Sequence, residues 1–322
     1  MSDPRSLVRR PIGRTGLTVP ALSFGTAPLG TLSYLNSVDS DAQAVETIRH
    51  AFEAGVALFD TAPSYGEGTS ERRLGLALAG LPRERFVLET KVVSRMARVQ
   101  PDYSRDGVLR SLEGSLERLR LDRIDIALIH DPETHYREAL DIVYPVLAEL
   151  RDQGALRAIG VGMMNRWRTL MAFARNADFD CLLLAGRYHL LEQEALPFLE
   201  LCQQRGIAVL LGAVYATGIL ATGAIPGARY EYREASPEIL ERVRRIEAIC
   251  AEHGVPLSAA ALQFPLGHPA VTSLVVGMQQ PAEVDANLTA LAHPIPAALW
   301  ADLRAAGLLD ANAPAPGDAP TA

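Results

Sequence analysis

The chain has 322 residues, 48% of them hydrophobic and 21% charged, with a formal net charge of −7. That length and apolar share suit one large α/β core, and an acidic balance without a basic stripe argues against a nucleic-acid partner. Three cysteines, Cys181, Cys202 and Cys250, make no CxxC pair and suit a reducing compartment better than a disulfide framework.

The opening "MSDPRSLVRRPIGRTG" has no apolar core, so no signal peptide is expected. Next, "RRPIGRTGLTVP" reads as a small β-hairpin turning at Arg14–Thr15–Gly16 and closed by Pro20. Eight apolar strand-like runs follow in order: "ALSFG", "VALFD", "FVLETK", "IDIALIH", "LRAIGVG", "CLLLA", "IAVLL" and "VTSLVVG". Amphipathic stretches with helix punctuation lie between them. They include "DAQAVETIRHAFEAG" and "REALDIVYPVLAELRDQG", the latter stopped by Gly154. "SPEILERVRRIEAICAEHG" opens on Ser236 with Pro237 in first position and closes at Gly254.

One segment imitates a membrane span, since residues 206–228 carry no charge. Five glycines and Pro226 interrupt it, so a buried strand followed by a glycine-rich loop is the better reading. A soluble, cytoplasmic protein without membrane association is expected.

Eight continuous apolar strands, each followed by a helix at about 35 residues per unit, form the pattern of an α/β (β/α)8 TIM barrel, here with an N-terminal β-hairpin. A doubly wound sheet is the alternative. The barrel is expected over residues 1–311, and the Pro/Ala-rich residues 312–322 are expected to be a disordered tail. Neither a heptad nor a large apolar stripe reports on oligomeric state.

The strand ends carry the chemistry. The second strand ends in Asp60, the third in Lys91 and the fourth in His130, and Tyr65 follows Asp60 in "FDTAPSYG". A charge at the end of a run buried on both faces belongs at a surface or in a site. Asp60 alone reads equally well as a helix cap. Three successive strands ending this way place an acid, a base and an imidazole where barrel active sites are built. A tyrosine titrates near 10, too high for efficient proton transfer at neutrality. A neighbouring ammonium lowers that value, and a carboxylate holds the ammonium charged. His130 can orient the same substrate oxygen. Such a set moves a proton on an oxygen while hydride leaves or joins its carbon, and the hydride needs a cofactor.

In these residues the chain resembles the aldo-keto reductase family over nearly its whole length. The family's Asp, Tyr, Lys and His tetrad matches Asp60, Tyr65, Lys91 and His130 in order and context ("FDTAPSYG", "ETK", "LIHDPE"). Within the family, "VPALSFGTAPLG", "LLLAGRYHLLEQ" and "GAVYATGIL" resemble bacterial NAD(P)-dependent aldose 1-dehydrogenases, which oxidise L-fucose, D-arabinose or D-threo-aldoses to lactones. A pyridoxal 4-dehydrogenase is a close cousin in that branch.

The resemblance implies further contacts. Asn165 would hold the nicotinamide carboxamide, with Gly162 where the family has serine, and Arg187 stands where many relatives carry glutamine. Tyr215 would stack under the nicotinamide. Gly277 would let backbone approach the cofactor, and Asn287 would contact adenine. Glu283 occupies the position of an arginine that holds the 2′-phosphate in NADP-using relatives, and no lysine or arginine occurs from Leu274 to Trp300. NAD is therefore expected over NADP. Tyr34 and Trp167 are candidates for a sugar or pyridoxal pocket, which needs polar groups and an aromatic platform. A regulatory barrel that binds nucleotide without turnover is the alternative from another class, and it has no need of a lysine-tuned tyrosine.

Two lookalikes fail. "GVGMMN" lacks the third glycine of a dinucleotide fingerprint and follows the fifth strand. "HDPETH" offers two histidines after a single strand, whereas a barrel metal site draws ligands from several, so no metal is expected.

Overall fold

The structure is a computed structural model that describes residues 7–30, 40–97 and 100–318. Strands β1 (Arg9–Pro11) and β2 (Thr18–Pro20) pair antiparallel as the hairpin. Its Ile12, Leu17 and Val19 are buried against residues inside the barrel, so the hairpin closes the amino-terminal mouth.

Six strands follow: β3 (Leu22–Gly25), β4 (Leu58–Asp60), β5 (Val87–Val92), β6 (Ile126–His130), β7 (Ala158–Met164) and β8 (Cys181–Ala185). After them come β9 (Ala208–Gly212), the short pair β10 (Arg229–Tyr230) and β11 (Arg233–Glu234), and β12 (Val271–Gly277). Strands β3 to β9 and β12 close into one parallel barrel, with β12 bonded to both β9 and β3. Closure decides against the doubly wound sheet. All eight expected strands are present.

The apolar runs are unbroken because both faces are buried. Phe59, Leu88, Ile129, Val161 and Leu184 face outward into the core shared with the helices. Leu58, Val87, Leu128, Leu183 and Leu210 alternate with them and fill the barrel. The helices Asp41–Glu53, Arg105–Leu119 and Pro237–Glu252 begin on Ser40, Ser104 and Ser236, whose side chains accept from backbone N–H groups of the first turn.

Three local features depart from expectation. "REALDIVYPVLAELRDQG" is not one uniform helix, because residues Ala139–Val143 form a π turn. The Tyr144 N–H donates to the Ala139 carbonyl five residues back, just before Pro145, which has no N–H to continue the ladder. The glycine-rich loop after β9 contains the β10–β11 hairpin, which the sequence did not suggest. The C-terminal segment is ordered over residues 312–318, correcting the disorder expected there. Ala313 and Ala315 are buried, and Asp318 accepts from Arg304 at 2.5 Å and from the Ala315 N–H at 2.7 Å. Small side chains let this Pro/Ala-rich stretch pack closely, and a charge pair pins its end.

No helix among the described residues is long and apolar enough to cross a membrane. The three cysteines are free and buried.

Candidate active site

Backbone conformation marks one face of the barrel. Directly after β5, β6, β7 and β9 the chain turns through Val93 (φ 51°), Asp131 (φ 43°), Asn165 (φ 58°) and Ala213 (φ 56°), and Arg187 (φ 65°) does the same just beyond β8. Left-handed backbone costs a non-glycine residue on the order of 1 kcal/mol or more. Turns at the opposite face use glycine for this purpose, as at Gly55, Gly80, Gly154 and Gly206, with Arg120 the exception. Strain is concentrated at the carboxyl rim, where barrel enzymes carry their sites.

The four sequence-predicted residues meet at that rim. Lys91 and Asp60 are almost fully buried, and the Lys91 Nζ donates to Asp60 Oδ1 and Oδ2 at 2.5 and 3.0 Å and to the Thr61 carbonyl at 2.9 Å. Tyr65 lies in the loop after β4, with its ring centroid 4.9 Å from Lys91 Nζ. That loop is held tightly: the Ser70 N–H donates to the Tyr65 carbonyl, and a Cβ on Gly30 would come within 2.6 Å of the Tyr65 backbone. The tyrosine and His130 rings meet edge to face, 6.0 Å between centroids at 86°. Ser94, three residues beyond Lys91, places its Oγ 2.7 Å from His130 Nδ1. No expectation included Ser94. Its one sequence signal is its place just past a strand end.

Burial governs the protonation of the set. Desolvation, aided by the charge of Lys91, lowers His130 to about 3, so the imidazole is neutral. Burial alone would favour neutral Lys91, but the Asp60 carboxylate, foremost among the groups acting against it, raises it above its ordinary value. Tyr65 is raised, chiefly by desolvation. Lys91 does act to lower it, as expected, yet burial and the Asp60 charge outweigh the ammonium. The site therefore presents a phenol and a neutral imidazole beside a buried ion pair. Those groups can donate to one oxygen and exchange a proton with it.

A second group of expected contacts lies along the rim. Asn165 reaches the β10–β11 turn, its Nδ2 3.5 Å from Glu231 Oε1. Arg187 pairs with Glu192 at 3.0 Å, with Glu194 at 3.4 Å and with Glu231, tying the loops after β8 and β9 together. The Tyr215 hydroxyl donates to Asn287 Oδ1 at 2.7 Å, and Asn287 Nδ2 donates to the Glu283 carbonyl. Two side chains expected at opposite ends of the dinucleotide, Tyr215 and Asn287, are thus in direct contact. Glu283 is half-buried in the first turn of the helix Pro281–Ala292, where its Oε2 accepts from the Gln279 N–H at 2.7 Å. Gly277 is exposed at the end of β12, and a Cβ there would fall 2.7 Å from Pro28 Cγ.

Residues 21–307 match the aldo/keto reductase family. The chain belongs to that family. It is 40% identical to a D-threo-aldose 1-dehydrogenase of a Pseudomonas species, covering 91% of this chain and 96% of the relative. It is 38% identical to a pyridoxal 4-dehydrogenase of Microbacterium luteolum, covering 94% and 98%. An aldo-keto reductase from Bacillus halodurans, solved in its holo form, superposes with a TM-score of 0.79 at 25% identity, covering 95% of this chain and 97% of that one. The chain is an NAD(P)-dependent oxidoreductase.

For this aldo/keto reductase the rim fits a nicotinamide nucleotide. Gly277, exposed at the end of β12, leaves backbone open to a ligand, and Glu283 at the adjoining start of the helix Pro281–Ala292 offers an acceptor to ribose hydroxyls. Ala213, Ala216 and Thr217 hold left-handed backbone in the loop after β9, the kind of strain found at ligand clamps. Trp167 is a different case. It is 8% exposed within the outer core, with the Arg168 guanidinium 4.2 Å above its ring, as a structural residue would be. A ring so covered has little face to offer a ligand. Tyr34 lies outside the described residues.

Proposed function

We propose that this enzyme oxidises the anomeric carbon of a cyclic aldose of the L-fucose or D-threo type to a lactone, in the cytoplasm and with NAD preferred. One observation carries the reading: near end-to-end similarity to a D-threo-aldose 1-dehydrogenase in a chain whose strand ends hold Asp60, Lys91, Tyr65 and His130 together. When bound, the nicotinamide supplies the hydride chemistry that no side chain has. In oxidation Tyr65, in its phenolate form, accepts the anomeric hydroxyl proton. Lys91 lowers the cost of phenolate, Asp60 keeps Lys91 charged and in place, and neutral His130 orients the reacting oxygen.

Asn165, Tyr215, Gly277 and Asn287 are proposed cofactor contacts. The preference for NAD rests on Glu283, whose carboxylate is fixed at the helix start by the Gln279 N–H. A 2′-phosphate there would meet like charge, whereas a ribose hydroxyl could donate to it. Three buried, unpaired cysteines support a reducing compartment.

A second reading has its own support, because the pyridoxal 4-dehydrogenase is nearly as similar. Cofactor reduction measured with L-fucose, D-arabinose, other aldoses and pyridoxal separates the two. Turnover of pyridoxal alone, or of open-chain aldehydes alone, would sink the aldose reading. Nucleotide binding with no turnover on any substrate would favour the regulatory alternative.

A further inference from the structure

One ionisable side chain inside the barrel is not used by the site described above. Glu89 stands on β5 two residues before Lys91, on the same inward face, and lies opposite Asp60 in the β4–β5 register. It is wholly buried. Among the described residues no group donates a hydrogen bond to either of its carboxyl oxygens. Three charged or titratable groups face it. Asp60 stands beside it as its partner in the β4–β5 register. The Lys91 ammonium directs its hydrogen bonds to Asp60 and the Thr61 carbonyl. The Cys181 thiol of β8 also faces the barrel interior.

A buried carboxylate with no donor, beside a second carboxylate, is an expensive arrangement. Adjacent carboxyl groups resolve this by sharing one proton. Asp60 already holds the ammonium, so the proton belongs on Glu89. We propose that Glu89 is a carboxylic acid whose O–H donates to Asp60, and that it serves as a positioning residue holding that carboxylate on Lys91. Burial and the Asp60 charge hold its proton well above the usual carboxylate range. The buried cluster is then neutral overall. An ionised Glu89 would leave it one charge negative and disfavour phenolate at Tyr65. The inference rests on the reading that Asp60 and Lys91 tune Tyr65.

Infrared difference spectroscopy tests it without substrate. Wild-type protein minus Glu89→Gln at neutral pH should show the C=O stretch of a protonated carboxyl group. A difference showing only ionised carboxylate overturns the proposal. Kinetics test the positioning role. Glu89→Gln keeps an N–H donor for Asp60 and should retain turnover within about 3-fold, with the same pH dependence. Glu89→Leu has no donor and should lose about 10-fold in kcat with the cofactor KM nearly unchanged, and its pH–kcat profile should move. A glutamine variant as impaired as the leucine variant, or a leucine variant equal to wild type, overturns it. The infrared result and the glutamine variant stand even where the leucine variant fails to fold. Absence of sugar oxidation by the wild type counts against the substrate reading alone, because the infrared band needs no turnover.

Discussion

Ser94 and His130 are joined by a single hydrogen bond, Oγ to Nδ1 at 2.7 Å, that links the segment after β5 to the last residue of β6. With the hydroxyl donating, the neutral ring carries its proton on Nε2 and Nδ1 is satisfied. Ser94→Ala should lower kcat/KM by about 5- to 10-fold, the worth of roughly 1 kcal/mol of orientation. Ser94→Thr should restore most of it. Nitrogen NMR of His130 should report the Nε2–H tautomer in the wild type and a mixture in the alanine variant. Unchanged kinetics and tautomer would remove Ser94 from the site.

Tyr65→Phe should reduce turnover by a factor on the order of 10² to 10⁴ while cofactor binding and melting temperature stay close to wild type. Since burial raises the phenol above its ordinary value, oxidation should gain rate as pH rises through neutrality. A plateau already reached at neutral pH would contradict that shift.

Lys91→Met leaves Asp60 buried without its partner. Breaking a buried pair from one side costs about 3–5 kcal/mol, so the variant should unfold at markedly lower denaturant. Adding Asp60→Asn should recover part of the loss, because the stranded charge is gone. Where the variant folds, its oxidation profile should move further to alkaline pH, as the ammonium no longer opposes burial at Tyr65.

Acid should destabilise the fold before most carboxylates titrate. Burial lowers His130 and His189 to about 3 and His268 to about 4, whereas the unfolded chain binds those protons near 6.5. The stability these neutral rings contribute is full above the unfolded value. It declines as pH falls from about 6.5 towards the folded values, by up to about 1.4 kcal/mol per pH unit for each histidine. Thermal unfolding between pH 7 and 5 should show it, and His268→Gln should flatten the slope. A melting temperature that rises over this range would refute the assignment.

Glu283→Arg should shift the ratio of kcat/KM values from NAD towards NADP by about tenfold or more. Because the substitution also removes the acceptor for the Gln279 N–H, Glu283→Gln is the control. The glutamine variant retains that bond and loses only the charge, so it should move part of the way. Equal use of both cofactors by the wild type would refute the preference.

The barrel and its four-residue centre were legible in the sequence for one physical reason. A strand buried on both faces is an unbroken apolar run, so Asp60, Lys91 and His130 stand out where such runs stop. Serine, proline and glycine marked where helices begin and end. What needed the tertiary structure was every relation set by closing the barrel. The neighbours of Glu89 depend on the β4–β5 register, and the bond of Ser94 to His130 depends on how two strand ends meet. The contact between Tyr215 and Asn287, 72 residues apart, is likewise invisible along the chain. The tail from 312 to 318 reads as disordered by composition, yet Ala313 and Ala315 are buried and Arg304 binds the Ala313 carbonyl and Asp318. Local pattern encodes which face a residue takes. Which partner waits on that face is decided by chain closure, and a sequence read along its length does not contain that distance.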